Sequence, residues 1–325
     1  MANLLAFLLP LVLFFSSQLV QSHPSLNHNN NNFNVLDYGA IGDGYYDDTK
    51  ISGSLTAPED PNQWKCKEDH CHQWIEFAHI NGLYIDGQGI VDGQGPKWWS
   101  IDCKKYKQGV VISHSTNVHI SNIMVKDSPN FQMSLEDSKW IVVKQITITA
   151  DGDSPNTDGI HIQRSQHVLV YNSNIRTGDD CISIGDGSKY INISRISCGP
   201  GHGISIGSLG RYGTKETVEN VVVQDCTFRD TDNGPTAVEI KNVRYNHIHG
   251  TSIKKPYVQL LCSESVPCRD IFMNDINIHN EDKDEYEKKG RKSRHDHPLA
   301  ECINVRGQAN GVVKPKLSCL ISKRH

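Results

Sequence analysis

The segment Asn117-Val-His-Ile-Ser-Asn-Ile-Met-Val125 returns as Trp140-Ile-Val-Val-Lys-Gln-Ile-Thr-Ile148 and again as His167-Val-Leu-Val-Tyr-Asn-Ser-Asn-Ile175. The same pattern recurs in Tyr190-Ile-Asn-Ile-Ser-Arg-Ile-Ser197, Glu219-Asn-Val-Val-Val-Gln-Asp-Cys226, Lys241-Asn-Val-Arg-Tyr-Asn-His-Ile248 and Asp270-Ile-Phe-Met-Asn-Asp-Ile-Asn-Ile278. Equivalent apolar positions Val118, Ile141, Val168, Ile191, Val221, Val243 and Ile271 are 23, 27, 23, 30, 22 and 28 residues apart. Recurrence at roughly 20–50 residues marks a solenoid or a propeller. Each unit alternates β-branched with polar residues and is bounded by Asn, Gly and Asp, the signature of short strands. No amphipathic helix of ordinary length follows residue 110, which excludes helical repeats. A propeller blade takes about 40 residues or more. The fold expected is all-β: a single-stranded right-handed parallel β-helix, whose coils lie about 4.8 Å apart with inward Ile and Val stacked in ladders.

On either side of the repeats the pattern is less regular. Residues 33–50 read as a strand followed by a Gly/Asp-rich turn ending in Asp47-Asp48-Thr49-Lys50, and residues 51–110 as mixed short apolar runs. Glu281 to His297 is a charge-dense run of mixed sign, expected as a solvated loop because such runs do not bury themselves. Leu4 to Phe15 is almost wholly apolar and is followed by small residues, so 1–22 reads as a secretory signal peptide cleaved near Ser22. About 12 apolar residues fall short of the ~20 that span a bilayer, so no membrane anchor is expected. His23 to Asn32 is then a disordered polar leader, and 33–325 the β-helix domain.

The formal net charge of −4 gives no basic field for nucleic acid. Ten cysteines in a secreted chain favour disulfides over metal ligation. Local spacing suggests Cys66 with Cys71, Cys181 with Cys198, Cys262 with Cys268 and Cys302 with Cys319, leaving Cys103 and Cys226. Asn192-Ile-Ser194 is an N-glycosylation sequon, which fits an extracellular surface.

Three polar motifs interrupt the apolar alternation: Asn156-Thr157-Asp158-Gly159, Gly178-Asp179-Asp180-Cys181 and Gly201-His202-Gly203. Each alone is ordinary turn sequence. Asp158 and Asp179 are 21 residues apart, and Asp179 and His202 are 23 apart, so on coils about 4.8 Å apart the four side chains converge. Like charges at close range raise one pKa, so one carboxyl keeps its proton while its neighbours stay ionised. Glycoside hydrolysis needs that division: an acid for the leaving oxygen and a base for water. Zn²⁺ would favour more His or Cys, Ca²⁺ is not indicated, and no metal or other cofactor is expected.

These three motifs resemble the signature of the polygalacturonases, the pectin-cleaving hydrolases of glycoside hydrolase family 28. Phe33 to Lys50, Gly82 to Trp99 and Ala237 to Val305 are similar to the plant members. The resemblance implies a parallel β-helix cleaving α-1,4-galacturonan in pectin with inversion, secreted to the cell wall and monomeric. It implies Asp179 as general acid, Asp158 and Asp180 as the pair activating water, His202 as support for the acid, and Asn156 in the substrate site. It also implies a Cys181–Cys198 disulfide bracing the site. Two departures stand out. The family's Arg-Ile-Lys segment, whose cations grip substrate carboxylates, is expected after Asp232-Asn233-Gly234, yet Pro235-Thr236-Ala237-Val238 follows, as if a block were missing. Glu239-Ile240-Lys241 mimics the segment with the wrong first charge, and Lys241 is not assigned the role. A second block reads as absent at Lys50-Ile51, where an N-terminal helix should open. Both junctions look like clean excisions. The alternatives at this stage are a non-catalytic wall-binding homologue and a Ca²⁺-dependent lyase.

Overall fold

The computed structural model of the chain describes residues 48–63, 73–101, 108–207, 209, 216–231, 239–253, 255–262, 267–279 and 299–322. The signal peptide, the polar leader, the charged run, Cys66, Cys71, Cys103 and the junction at Gly234-Pro235 lie outside these residues. The described chain winds into a parallel β-helix. One sheet has sixteen strands; a second has six, Gln73–Ala78, Gln108–Ser113, Met133–Glu136, Ile160–Gln163, Asp180–Ile184 and Gly203–Ile206. Val258–Leu261 and Ala300–Ile303 pair only with each other.

The repeat read from sequence is the register of the larger sheet. Leu83 pairs with Val118, then Ile141, Val168, Ile191, Val221, Val243 and Ile271 follow in one unbroken ladder. None of these is more than 3 % exposed. The six-stranded sheet closes the same interior with its own ladder, Ile75, Val110, Met133, Ile160, Ile182 and Ile204. A slip of one residue would turn each ladder to solvent, so apolar burial fixes the register.

The Asn residues of the repeat have a conformational reason. Asn117, Asn220 and Asn242 stand at positive φ (57°, 61° and 52°), as do Asn122 and Asn172 (60° and 53°) five residues into their segments. Asn tolerates the left-handed region because its short side chain bonds locally. One unit therefore reads corner, in, out, in, out, corner. Amides cross-link adjacent coils at these corners: Asn117 Nδ2 donates to Asn81 and Asn242 Nδ2 to Asn220, each at 2.8 Å. Trp140, His167 and Tyr190 take the same corner on three successive coils and stack their rings, 3.9 and 4.7 Å between centroids.

Two expectations are corrected. Asp48–Ile51 is a strand rather than a turn, in parallel register with Tyr84 to Gly87. Residues 81–92 likewise form coil strands, Asn81–Gly87 and Ile90–Asp92, so the solenoid begins well before residue 110. Three of the suspected disulfides are formed, Cys181–Cys198, Cys262–Cys268 and Cys302–Cys319. Cys226 is a buried free thiol, pushed up to about 11 by burial. No helix among the described residues is long and apolar enough to cross a membrane.

Truncating a ladder residue should be costly. Ile141→Ala is expected to lower stability by about 2–5 kcal/mol, against within about 0.5 kcal/mol for Lys139→Ala on the exposed side of the same strand. Denaturant melts measure both, and equal losses would contradict the inward placement of Ile141.

Candidate active site

The three polar motifs sit where the chain enters successive strands of the six-stranded sheet. Each is followed by the same alternation: Gly159-Ile160-His161-Ile162, Cys181-Ile182-Ser183-Ile184 and Gly203-Ile204-Ser205-Ile206. The isoleucines point inward and pair across coils; His161, Ser183 and Ser205 form the outward row between them. The other motif residues are scaffold. Thr157 is fully buried, and its Oγ1 accepts the Gly178 N–H at 3.2 Å. A Cβ on Gly178 would lie 2.1 Å from the Ser154 carbonyl oxygen. Gly201, at φ 133°, brings its backbone so close to Asp179 that a Cβ would lie 2.4 Å from that carbonyl.

Consecutive strand residues face opposite sides, yet both Asp179 and Asp180 belong to the cluster. The pairing with the next coil shifts between Asp180 and Ile182, an irregularity of the kind that re-aims side chains beside active sites. Asp179 Oδ1 then accepts the Asp180 N–H at 2.8 Å and lies 2.9 Å from His202 Nδ1. Ser205 donates its hydroxyl to Asp180 Oδ2. Asp158, only 6 % exposed, accepts from Ser183 Oγ at 2.5 Å. Every one of the three carboxylates is thus held by a donor from the coil that follows it. The Cys181–Cys198 disulfide crosses the interior immediately behind Asp180 and ties down the segment leading to His202.

Burial first, with the charge of Asp158 and, more weakly, of Asp179, pushes the Asp180 carboxyl up to about 7, against the lowering effect of the Ser205 hydrogen bond and His202. Asp180 is thus held well above the ordinary carboxylate range. Asp179, Asp180 and His202 offer donor atoms within 4.8 Å of one another. Two carboxylates and an imidazole are far fewer than the six to eight oxygens Ca²⁺ takes.

The structure brings Asp158, Asp179, Asp180 and His202 together. Asn156 lies beside them in the chain but bonds to Asn130 on the preceding coil, at 3.1 Å. Lys241 is in register with Glu219 and Arg269 in the larger sheet and does not lie on the six-stranded one. Asn192 is exposed in mid-strand. Sequence reading missed His161, Ser183 and Ser205; the repeated Ile-x-Ile after each motif was the signal that could have found them.

The family model described as Glycosyl hydrolases family 28 matches this chain over residues 45–236 and 234–295. The chain is 34% identical to an exopolygalacturonase of Zea mays over 83% of its own length and 75% of that protein's. It is 32% identical to a polygalacturonase of Brassica napus over 75% and 72%. Among solved structures it resembles the endo-xylogalacturonan hydrolase of Aspergillus tubingensis, with TM-score 0.62 and 19% identity over 86% and 85% of the two chains. It also resembles the polygalacturonase of Erwinia carotovora ssp. carotovora, with TM-score 0.52 and 19% identity over 85% and 83%. At that identity the likeness speaks for the fold.

The raised Asp180 carboxyl has a measurable sign. An unfolded Asp carries its proton only below about pH 4, whereas Asp180 in the fold keeps it up to about 7. Its contribution to stability is complete below about pH 4 and is lost as pH rises through 7. Thermal melts from pH 5 to 8 should therefore show wild type losing more stability than Asp180→Asn. Parallel pH profiles would contradict the buried, proton-holding Asp180.

Proposed function

Since the chain belongs to the glycosyl hydrolases of family 28, we propose that it hydrolyses α-1,4-galacturonosyl linkages of pectin in the cell wall. The observation that carries this reading is the convergence of Asp158, Asp179, Asp180 and His202 on one face of the β-helix, each carboxylate individually hydrogen-bonded. Asp179 protonates the glycosidic oxygen, with His202 at 2.9 Å orienting it. Asp158 and Asp180 draw the proton from the attacking water. Groups this close titrate as a unit, so the cluster's single proton, resting on Asp180 in the free site, serves Asp179 once substrate is bound. Activity accordingly falls as pH rises through about 7.

The reading extends to substrate binding. The two family-model matches meet at residues 234–236, where the Arg-Ile-Lys block is expected. That overlap supports a chain that keeps the acid–base half of the site without the cationic clamp. Charge-assisted hydrogen bonds are worth about 1.5–3 kcal/mol each, so KM for a polyanion is expected to be high.

Purified chain should release reducing ends from polygalacturonate, and Asp179→Asn should lower kcat on the order of 10²–10⁴-fold. Equal background from both would sink the hydrolase reading in favour of a non-catalytic wall-binding protein. The stereochemistry is also testable. Donor atoms of Asp179 and Asp180 lie within 4.8 Å of each other, closer than the ~6.5–9.5 Å usual between the carboxyls of inverting enzymes. Inversion by this cluster requires water seated between Asp158 and Asp180, and proton NMR should show the β-anomer forming first. A first-formed α-anomer would assign a covalent intermediate instead.

A further inference from the structure

His161 has no part in the acid–base assignment, yet it is wired into it. It lies on the strand Ile160–Gln163, opposite Ser183 of the following coil and Ser134 of the preceding one. Its ring stacks on Phe131, with centroids 4.4 Å apart and planes inclined by 16°. The imidazole Nδ1 is 2.8 Å from Ser183 Oγ and 3.6 Å from Asp158 Oδ2. The titratable groups around it are Asp158, at the head of its own strand, and Asp180, which heads the strand carrying Ser183.

The direction of these hydrogen bonds follows from counting protons. A serine hydroxyl has one hydrogen to give, and Ser183 gives it to Asp158 Oδ2. Its contact with His161 is then one in which the oxygen accepts, so Nδ1 must carry the hydrogen. The reverse polarity, a protonated Asp158 donating to Ser183 and Ser183 to a bare Nδ1, leaves the imidazole hydrogen on Nε2, so the tautomer of His161 distinguishes the two.

Resting on the hydrolase reading of Asp158, we propose that His161 is a positioning residue. Its Nδ1–H holds the Ser183 hydroxyl, and Ser183 pins one oxygen of Asp158, leaving the other for the attacking water. The Phe131 stack keeps the imidazole in the plane this relay requires.

Two experiments on the full chain decide it. Proton–nitrogen correlation spectra of histidine-labelled protein near pH 8, where an ordinary imidazole is neutral, report the tautomer; the His161→Asn spectrum assigns the signal. The Nδ1–H tautomer is expected, and an Nε2–H tautomer overturns the relay whether or not the chain turns over polygalacturonate. Kinetics of three variants then separate orientation from packing. His161→Asn sets an amide N–H where Nδ1 stood, His161→Gln reaches instead towards Nε2, and His161→Phe keeps a ring on Phe131 without any donor. At unchanged KM, Gln and Phe should lose on the order of ten- to a hundredfold in kcat, while Asn restores most of it. A Phe variant that outperforms Asn would make the ring mere packing and overturn the proposal. A wild type that releases no reducing ends would instead defeat the hydrolase reading, with the tautomer still deciding the relay.

Discussion

Everything in this molecule depends on backbone pairing between one coil and the next at a fixed register. Parallel strands joined by long crossovers have no tight hairpin to set their alignment, so the alignment comes from burying Ile and Val on both sheets at once. Val118 to Ile271 in one sheet and Ile75 to Ile204 in the other are two rulers for the same winding. Residues between the ladders can vary in number, from 22 to 30 per coil between Val118 and Ile271, because the slack is taken up in turns. The site inherits its precision from these ladders. His161, Ser183 and Ser205 each stand between two paired inward residues, and the carboxylates that Ser183 and Ser205 hold lie one turn upstream.

The electrostatic arrangement follows the same logic. Three carboxylates brought this close repel one another, and burial of any of them penalises its charge. The fold answers each acid from the next coil: Ser183 for Asp158, His202 for Asp179, Ser205 for Asp180. It leaves one acid so dry that it keeps its proton to about pH 7. Because each acid relies on a side chain of the following coil, no coil of the site is competent alone. The Cys181–Cys198 disulfide and the crowded approach at Gly201 hold two of these coils together at the point where misalignment would matter most.

Much of this was legible in the sequence. The seven equivalent apolar positions are the observed rungs without a slip, because period-2 burial leaves a strong imprint on composition. The convergence of the four polar groups followed from the same period. What the sequence concealed were features whose cause is three-dimensional. Asp48–Ile51 looks like turn sequence, and only its pairing with Tyr84–Gly87 makes it a strand. The register shift between Asp180 and Ile182 leaves no compositional trace. Ser183 and Ser205 are common residues whose meaning comes only from what the adjacent coil sets opposite them.

The ladder between Val221 and Val243 carries one last consequence. These two valines pair directly, 22 residues apart, on either side of residues 234–236, where the two family-model matches overlap. A solenoid can be edited by whole turns: remove an integral number, and the flanking rungs meet as though they had always been neighbours. Architecture of this kind is forgiving of losses that chemistry is not. Solubility, secretion and thermal stability, the usual signs of a healthy protein, are silent about whether such a turn is present. A whole turn lost from such a solenoid would leave the fold intact and register only in turnover.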